Sequence, residues 1–258
     1  MKGLDFVDNI YQTKIGKLSL LTKISPSFQF YRQIIPIVFK AANLAKKGLY
    51  DDEEWCKSSL DALRALESAG VRFDIRGIEN FKELKEPCVF IGNHMSTLET
   101  FILPCIIVPY KRVTFVVKQS LVEYPVFKYV MRSRDPITVT RTNPREDLKA
   151  VLEGGKRLLN EGVSVIIFPQ TTRVLQFDPK EFNSIGMKLA QKANVPVVPL
   201  ALKTDAWQNG RILKDFGKIM PEKTVYFEFG KPLWVKDKGA EEHKAVIDFI
   251  QTKLKEWG

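Results

Sequence analysis

The heptapeptide Asn93-His94-Met95-Ser96-Thr97-Leu98-Glu99 places an imidazole and a carboxylate directly after the apolar run Cys88-Val89-Phe90-Ile91. An imidazole takes a proton from an alcohol near neutral pH, and a carboxylate on its other ring nitrogen fixes the tautomer and stabilises the charged ring. Alone, a histidine in such a turn serves as readily as a cap or a solvated loop residue, so the neighbouring segments decide. Three further segments put cations beside apolar runs. Lys118 follows Phe115-Val116-Val117, Arg141 follows Ile137-Thr138-Val139-Thr140, and Phe168-Pro169-Gln170-Thr171-Thr172-Arg173 ends on a guanidinium next to two hydroxyls. Guanidinium groups grip phosphate oxygens in bidentate fashion, and lysine adds a long-reaching point charge. Each cation alone also reads as a strand-end charge reaching solvent. Taken together they suit a phosphate monoester held near a general base.

Such groups converge only if the apolar runs are strands of one sheet. After Gly70, Val71, Phe73 and Ile75 alternate with Arg72, Asp74 and Arg76, the pattern of a half-buried strand. Short apolar runs recur at 88–91, 113–117, 137–139, 163–168, 197–202 and 225–229, with helix-length segments between most of them. The clearest helix opens at Asn143-Pro144-Arg145-Glu146, an N-cap, a first-turn proline and a capping-box acid. It carries Leu148, Val151, Leu152, Gly155, Leu158 and Leu159 on one stripe and stops at Gly162. Gly154-Gly155-Lys156 falls inside that helix rather than on a strand-to-helix turn, which argues against a phosphate-binding loop and for close packing at Gly155. The expectation is an α/β fold, a mixed central sheet of about seven strands covered by helices.

The first seventy residues read as helical. Ser25-Pro26 opens a short helix through Ile35, a second runs from Ile37 to Lys47, and Asp51 to Glu54 open a third that ends at Gly70. Residues 1–50 hold eight Lys or Arg (Lys2, Lys14, Lys17, Lys23, Arg32, Lys40, Lys46, Lys47) against Asp5 and Asp8, a large share of the net charge of +10. Ile34, Ile35, Val38, Ala42 and Ala45 recur at helical spacing, with Lys40, Asn43 and Lys47 on the other face. A basic amphipathic helix of this kind lies in an anionic membrane interface, or it packs its apolar face on its own domain. Arg32, Gln33, Lys40 and Asn43 interrupt the ~20 apolar residues that a bilayer span requires, and no signal-peptide cleavage pattern follows. The aromatic patch Phe28, Phe30, Tyr31 fits an interfacial anchor and a core equally. The division expected is a basic amphipathic extension over 1–70 and an α/β domain over 71–258.

Cys56, Cys88 and Cys105 form no C-x-x-C pair, and His94 and His243 lack metal-ligand spacing. Neither a disulfide framework nor a metal site is expected, and His243, in a charged C-terminal segment, is expected to face solvent. No aromatic-basic interleave or helix-turn-helix pattern accompanies the positive charge, so nucleic acid is not the expected partner.

In order and spacing, the four segments resemble the glycerophosphate and lysophospholipid acyltransferase family. Its first motif, N-H-x-x-x-x-D, corresponds to Asn93 through Glu99, and its lysine and arginine positions to Lys118 and Arg141. F-P-E-G-T-R corresponds to Phe168 through Arg173, and V-P-[IV]-[VI]-P to Val195-Pro196-Val197-Val198-Pro199. The resemblance covers residues 71–230. It implies an O-acyltransferase that moves a fatty acyl group from an acyl thioester, acyl-CoA or acyl carrier protein, to the free hydroxyl of lysophosphatidate, giving phosphatidate, with no further cofactor. His94 is then the general base and Glu99 its orienting acid, while Lys118, Arg141, Gln170, Thr171, Thr172 and Arg173 bind the acceptor. The implied place is the cytoplasmic face of a membrane, peripheral or monotopic. Glu99 departs from the usual Asp, and Gln170-Thr171-Thr172 from Glu-Gly-Thr. The second change leaves glycerol 3-phosphate, a headgroup-bearing lysophospholipid or another hydroxylated lipid as alternative acceptors. A non-catalytic lipid-binding relative is the alternative from another class.

Overall fold

The computed structural model describes residues 3–14, 16, 18–170, 172–210 and 214–258; Thr171, Lys2 and Lys17 lie outside the described residues. In chain order the elements are β1 (Tyr11–Gln12), α1 (Leu20–Ile24), α2 (Pro26–Lys46), α3 (Asp52–Ser68), β2 (Arg72–Arg76), α4 (Glu79–Lys82), β3 (Val89–Gly92), α5 (Leu98–Ile107), β4 (Val113–Lys118), α6 (Phe127–Arg132), β5 (Ile137–Val139), α7 (Pro144–Asn160), β6 (Ser164–Ile167), α8 (Ile185–Ala193), β7 (Val197–Lys203), β8 (Thr224–Phe229) and α9 (Ala240–Glu256). Among the described residues the strands form one eight-stranded sheet in the order β1-β2-β8-β7-β3-β6-β4-β5. Strands β7, β3, β6, β4 and β5 are mutually parallel, whereas β8 pairs antiparallel to β7 and β1 antiparallel to β2.

Side chains alternate across the central strands and so build two cores. Val89, Ile91, Val165, Ile167, Val197 and Ala201 join the layer containing Val151, Leu189 and Ile250 of α7, α8 and α9. Phe90, Ile166, Val198, Leu200 and Leu202 point the other way, into the layer containing Ile34, Leu63 and Ile102 of α2, α3 and α5. Burial on both faces is what makes the parallel strands continuous apolar runs rather than alternating ones. At Gly155 a Cβ would sit 2.6 Å from Leu189, so the glycine sets the approach of α7 to α8.

The seven strands expected from the apolar runs are β2 to β8. β1 is the addition, two residues long and too short for a periodic signal; it pairs Tyr11 with Ile75, and the Tyr11 hydroxyl donates to Glu67 at 2.6 Å. Residues 1–70 are not a separate appendage. Tyr11, Phe30, Ile34, Trp55 and Leu66 share one core cluster with Phe90 and Phe115 of the sheet, so α2 and α3 join α5 in burying that face. The break expected at Pro36 is also absent. α2 runs through it, since Phe30 and Ile34 before the proline and Ala41 and Ala42 after it are buried together. Cutting the helix there would uncover the core at a cost exceeding that of one lost backbone hydrogen bond. His243, expected in solvent, instead packs on Phe182 and donates Nε2–H to the Phe182 carbonyl at 3.0 Å; burial holds its pKa below the ordinary value. No helix among the described residues is long and apolar enough to cross a membrane.

Candidate active site

Five parallel strands present their carboxyl ends along one edge, where ligands of open α/β sheets characteristically bind. From β7 to β5 that edge carries Thr204, His94, the 168–173 segment, Lys118 and Arg141, in spatial order. Gly92 closes β3 against β7, where a Cβ would lie 2.9 Å from the Leu200 carbonyl oxygen. The Asn93 amide then bridges to β7, donating to the Leu202 carbonyl at 2.8 Å and accepting from the Leu202 N–H at 3.0 Å. His94 therefore emerges from a pinned strand end.

Glu99, in the first turn of α5, is fully buried, and Oε1 lies 2.8 Å from His94 Nδ1. The same carboxylate accepts from the backbone N–H of Met95 (2.6 Å) and of Ser96 (2.9 Å), from Ser96 Oγ (3.0 Å) and from Thr204 Oγ1 (2.6 Å). Burial opposes its ionisation. The hydrogen bond and charge of His94, with the Thr204 hydroxyl and Ser96 backbone, outweigh that and hold the pKa below the usual carboxylate value. An ionised carboxylate only accepts, so Nδ1 carries the ring proton and Nε2 presents its lone pair. The extra methylene relative to aspartate is absorbed here, since the carboxylate reaches the ring while keeping its other partners.

The 168–173 segment holds His94 from the opposite side. Phe168 stacks on the imidazole with centroids 4.5 Å apart and planes 5° from parallel. Gln170 Oε1 accepts the His94 N–H at 2.7 Å, and the Val174 N–H donates to the His94 carbonyl at 3.0 Å. Gln170 is buried and does not line the cavity, so the structure corrects its expected place on the acceptor surface. Its side chain is spent on the His94 backbone, because an amide there would otherwise be buried without an acceptor.

A cavity of about 480 Å³ opens before His94. Its lining includes the polar side chains Lys118, Arg141, Thr172, Arg173, Lys214 and Asp215 and the apolar Val38, Trp55, Phe101, Phe115, Phe127 and Met131 from α2, α3, α5, β4 and α6. Arg173 lies 2.8 Å from Asp215 Oδ1 and also donates to Thr97 Oγ1. Arg141 adopts φ +65°, a region costly for a side-chain-bearing residue. The Asp147 carboxylate of α7 supports it by accepting the N–H of Thr140 and of Arg141, both at 2.7 Å. Burial and the nearby Arg173 charge hold the Arg141 guanidinium below its ordinary pKa, with Asp147 acting in the opposite sense. Arg141 and Arg173 line the same cavity, and two guanidinium groups there suit an anionic ligand. Of the residues singled out in the sequence, His94, Lys118, Arg141, Thr172 and Arg173 line this one cavity, Glu99 stands behind His94, and Gln170 supports it from below. Ser96, Thr97, Thr204, Asp147 and Asp215 were not foreseen. The strand-end rule applied to the others marks Lys203, the first polar residue after the 197–202 run, rather than Thr204 one position on, and nothing local marks Asp215.

The acyltransferase family model matches residues 72–203. Over 149 residues the chain is 34% identical to the 1-acyl-sn-glycerol-3-phosphate acyltransferase of Pseudomonas aeruginosa, covering 58% of this chain and 55% of that one. Over 148 residues it is 31% identical to a chloroplastic 1-acyl-sn-glycerol-3-phosphate acyltransferase of Brassica napus, covering 57% and 39%. The match thus spans about half the length, or less, of these curated relatives. The crystal structure of the 1-acyl-sn-glycerophosphate acyltransferase PlsC from Thermotoga maritima superposes with a TM-score of 0.65, covering 90% of this chain and 94% of that one at 20% identity, which establishes a shared fold.

Proposed function

The chain belongs to the acyltransferase family, and on that premise we propose that it transfers a fatty acyl group from an acyl thioester to the free hydroxyl of lysophosphatidate, giving phosphatidate. The observation that carries the reading is the shared cavity. Its lining combines the lone pair of a carboxylate-backed imidazole and three cations with an apolar wall. The cations Lys118, Arg141 and Arg173 suit the phosphate of the acceptor, and the apolar wall suits an acyl chain. That Gln170 faces the His94 backbone means the Glu-to-Gln departure removes nothing from the acceptor surface, which favours a phosphate-bearing acceptor of the family's usual kind.

The chemistry needs only these groups. His94 Nε2 takes the hydroxyl proton as the alkoxide oxygen bonds to the thioester carbonyl carbon, and the carbonyl electrons move onto oxygen. When the tetrahedral intermediate collapses the C–S bond breaks, and the departing thiolate receives the proton from the imidazolium. Glu99 offsets the transient positive charge on the ring, and the phosphate grip holds the hydroxyl near Nε2. The donor is acyl-CoA or acyl carrier protein, whose acidic groups suit the basic chain.

The membrane reading now rests on a stripe of α2 that shares only Ile35 with the expected face. Ile34 and Ala42 of the expected face are buried in the core, whereas Phe28, Ile35 and Phe39 share one exposed stripe, with Leu20 and Ile24 of α1 also exposed. The other side of the same helix supplies Ile37, Val38 and Ala41 to the cavity wall. That stripe would seat the chain in an anionic leaflet, peripheral at the cytoplasmic face, while the opposite side of α2 faces the cavity.

Thiol release from palmitoyl-CoA in detergent, with lysophosphatidate, glycerol 3-phosphate and lysophosphatidylethanolamine as rival acceptors, tests the proposal. Release is expected with lysophosphatidate foremost and lost in His94→Ala whose circular dichroism is unchanged. Near-normal turnover in that variant overturns it.

A further inference from the structure

The cation expected to grip the acceptor phosphate is already occupied by a carboxylate of the chain itself. Asp215 Oδ1 lies 2.8 Å from the Arg173 guanidinium and accepts from Thr97 Oγ1 at 2.9 Å. Arg173 and Thr97 donate to it as they would to a phosphate oxygen, and all three line the cavity that holds His94. The carboxylate is brought there on purpose-built contacts. It belongs to the connection from β7 to β8, and that connection is fastened to α2 next to Asp215: Phe216 stacks on Tyr31 with centroids 5.8 Å apart, the Tyr31 hydroxyl donates to the Gly217 carbonyl at 2.6 Å, and the Ile219 N–H donates to Ser27 Oγ at 3.0 Å. Asp215 itself is two-fifths exposed, so it can leave Arg173 for water without stranding a buried charge. Arg173 is far more enclosed and keeps an anionic partner in either state, first the carboxylate and then the ligand.

We propose that Asp215 is an internal competitor for the acceptor phosphate and so sets the acceptor KM. The phosphate binds by exchange: the Arg173 to Asp215 ion pair opens, the carboxylate turns to solvent, and the guanidinium and the Thr97 hydroxyl transfer to phosphate oxygens. Exchange makes acceptor affinity the difference between two ion pairs rather than the whole of one. It also keeps the empty site from holding any passing phosphate with the full strength of its cations. The inference rests on Arg173 serving the acceptor phosphate, as in the proposed function.

The test separates the two. Glycerol 3-phosphate binding to the full chain is measured by calorimetry in the absence of any acyl donor, for wild type, Asp215→Asn, Asp215→Ala and Arg173→Ala, and the acceptor KM is measured alongside the KM for palmitoyl-CoA. Removing a competitor worth a partly exposed ion pair is expected to tighten glycerol 3-phosphate binding and lower the acceptor KM about two- to fivefold. The donor KM should not move. Unchanged or weaker binding in both Asp215 variants, with Arg173→Ala still abolishing binding, overturns the competitor role alone. Binding untouched by Arg173→Ala overturns the phosphate-site reading and this inference with it.

Discussion

Replacing Glu99 with glutamine keeps the shape of a fully buried side chain and removes its charge. The amide oxygen can take the Oε1 position, where His94 Nδ1–H, Met95 N–H and Ser96 N–H need an acceptor. The amide nitrogen then faces Ser96 Oγ and Thr204 Oγ1, hydroxyls able to turn and accept. Ring orientation and tautomer therefore survive, and what disappears is the charge opposite the imidazolium as it forms. A hydrogen bond to a charged group contributes about 1.5–3 kcal/mol against about 0.5–1.5 for a neutral one, and the difference, roughly 1–2 kcal/mol, corresponds to a fall in kcat of about five- to thirtyfold. Glu99 is fully buried, so solvent screens that loss little. The assay is thiol release at saturating palmitoyl-CoA over a range of lysophosphatidate, in which kcat should fall while the acceptor KM stays near wild type. A kcat within twofold of wild type, with His94→Ala inactive, would refute the argument that the carboxylate stabilises the charged ring. The same variant has a pH signature. The pKa of Glu99 is depressed in the fold, so its contribution is fully present above the unfolded value near 4.5 and is lost as pH falls through the lower folded value. The stability gap between wild type and Glu99→Gln, read from denaturant midpoints, should narrow between pH 6 and pH 3.

Gln170→Ala leaves the buried His94 N–H without its acceptor, at about 1–3 kcal/mol. It should lower kcat and thermal stability while the acceptor KM changes little, and a glutamate at 170, which also accepts, should restore kcat; a large rise in KM would instead place residue 170 on the acceptor. Phe28→Ser with Phe39→Ser removes two exposed aromatic rings from one stripe of α2, each worth up to about 1.5–3 kcal/mol when buried in lipid. Co-sedimentation with vesicles containing phosphatidylglycerol should weaken at least tenfold with the fold intact, and unchanged binding would remove α2 from the membrane contact.

Much of this protein was written in local pattern. Each apolar run after Gly70 became a strand, because a segment buried on both faces must be apolar throughout. Asn143 caps α7 by accepting from the Arg145 and Glu146 N–H groups, as its position implied, whereas Asp51, expected in the first turn of α3, caps it from outside by accepting from the Glu54 N–H. The candidate dyad was legible for the same reason. His94 and Glu99 are five residues apart across one strand-to-helix turn, so chain geometry alone brings them within reach.

What escaped the sequence was set by contacts distant along the chain. Pro36 signals a break, but a core shared by both halves of α2 keeps the helix whole. The ends of β1 and β2 pair across some sixty residues with no periodic trace, and that pairing helps tie the first seventy residues into the domain. Gln170 occupies the place of a substrate ligand in the motif, yet the fold turns it onto the backbone of a residue 76 positions away. Thr204 reaches Glu99 across 105 positions, and Asp215 reaches Arg173 across 42. Residue type and spacing determine which strands and turns form and which groups stand at their ends. Which of those groups face the cavity, which support them from behind, and which carboxylate lies across the phosphate grip are decided only when sheet order and helix packing set the distances, because hydrogen bonds and ion pairs act over a few ångströms and local sequence does not encode separations between remote segments.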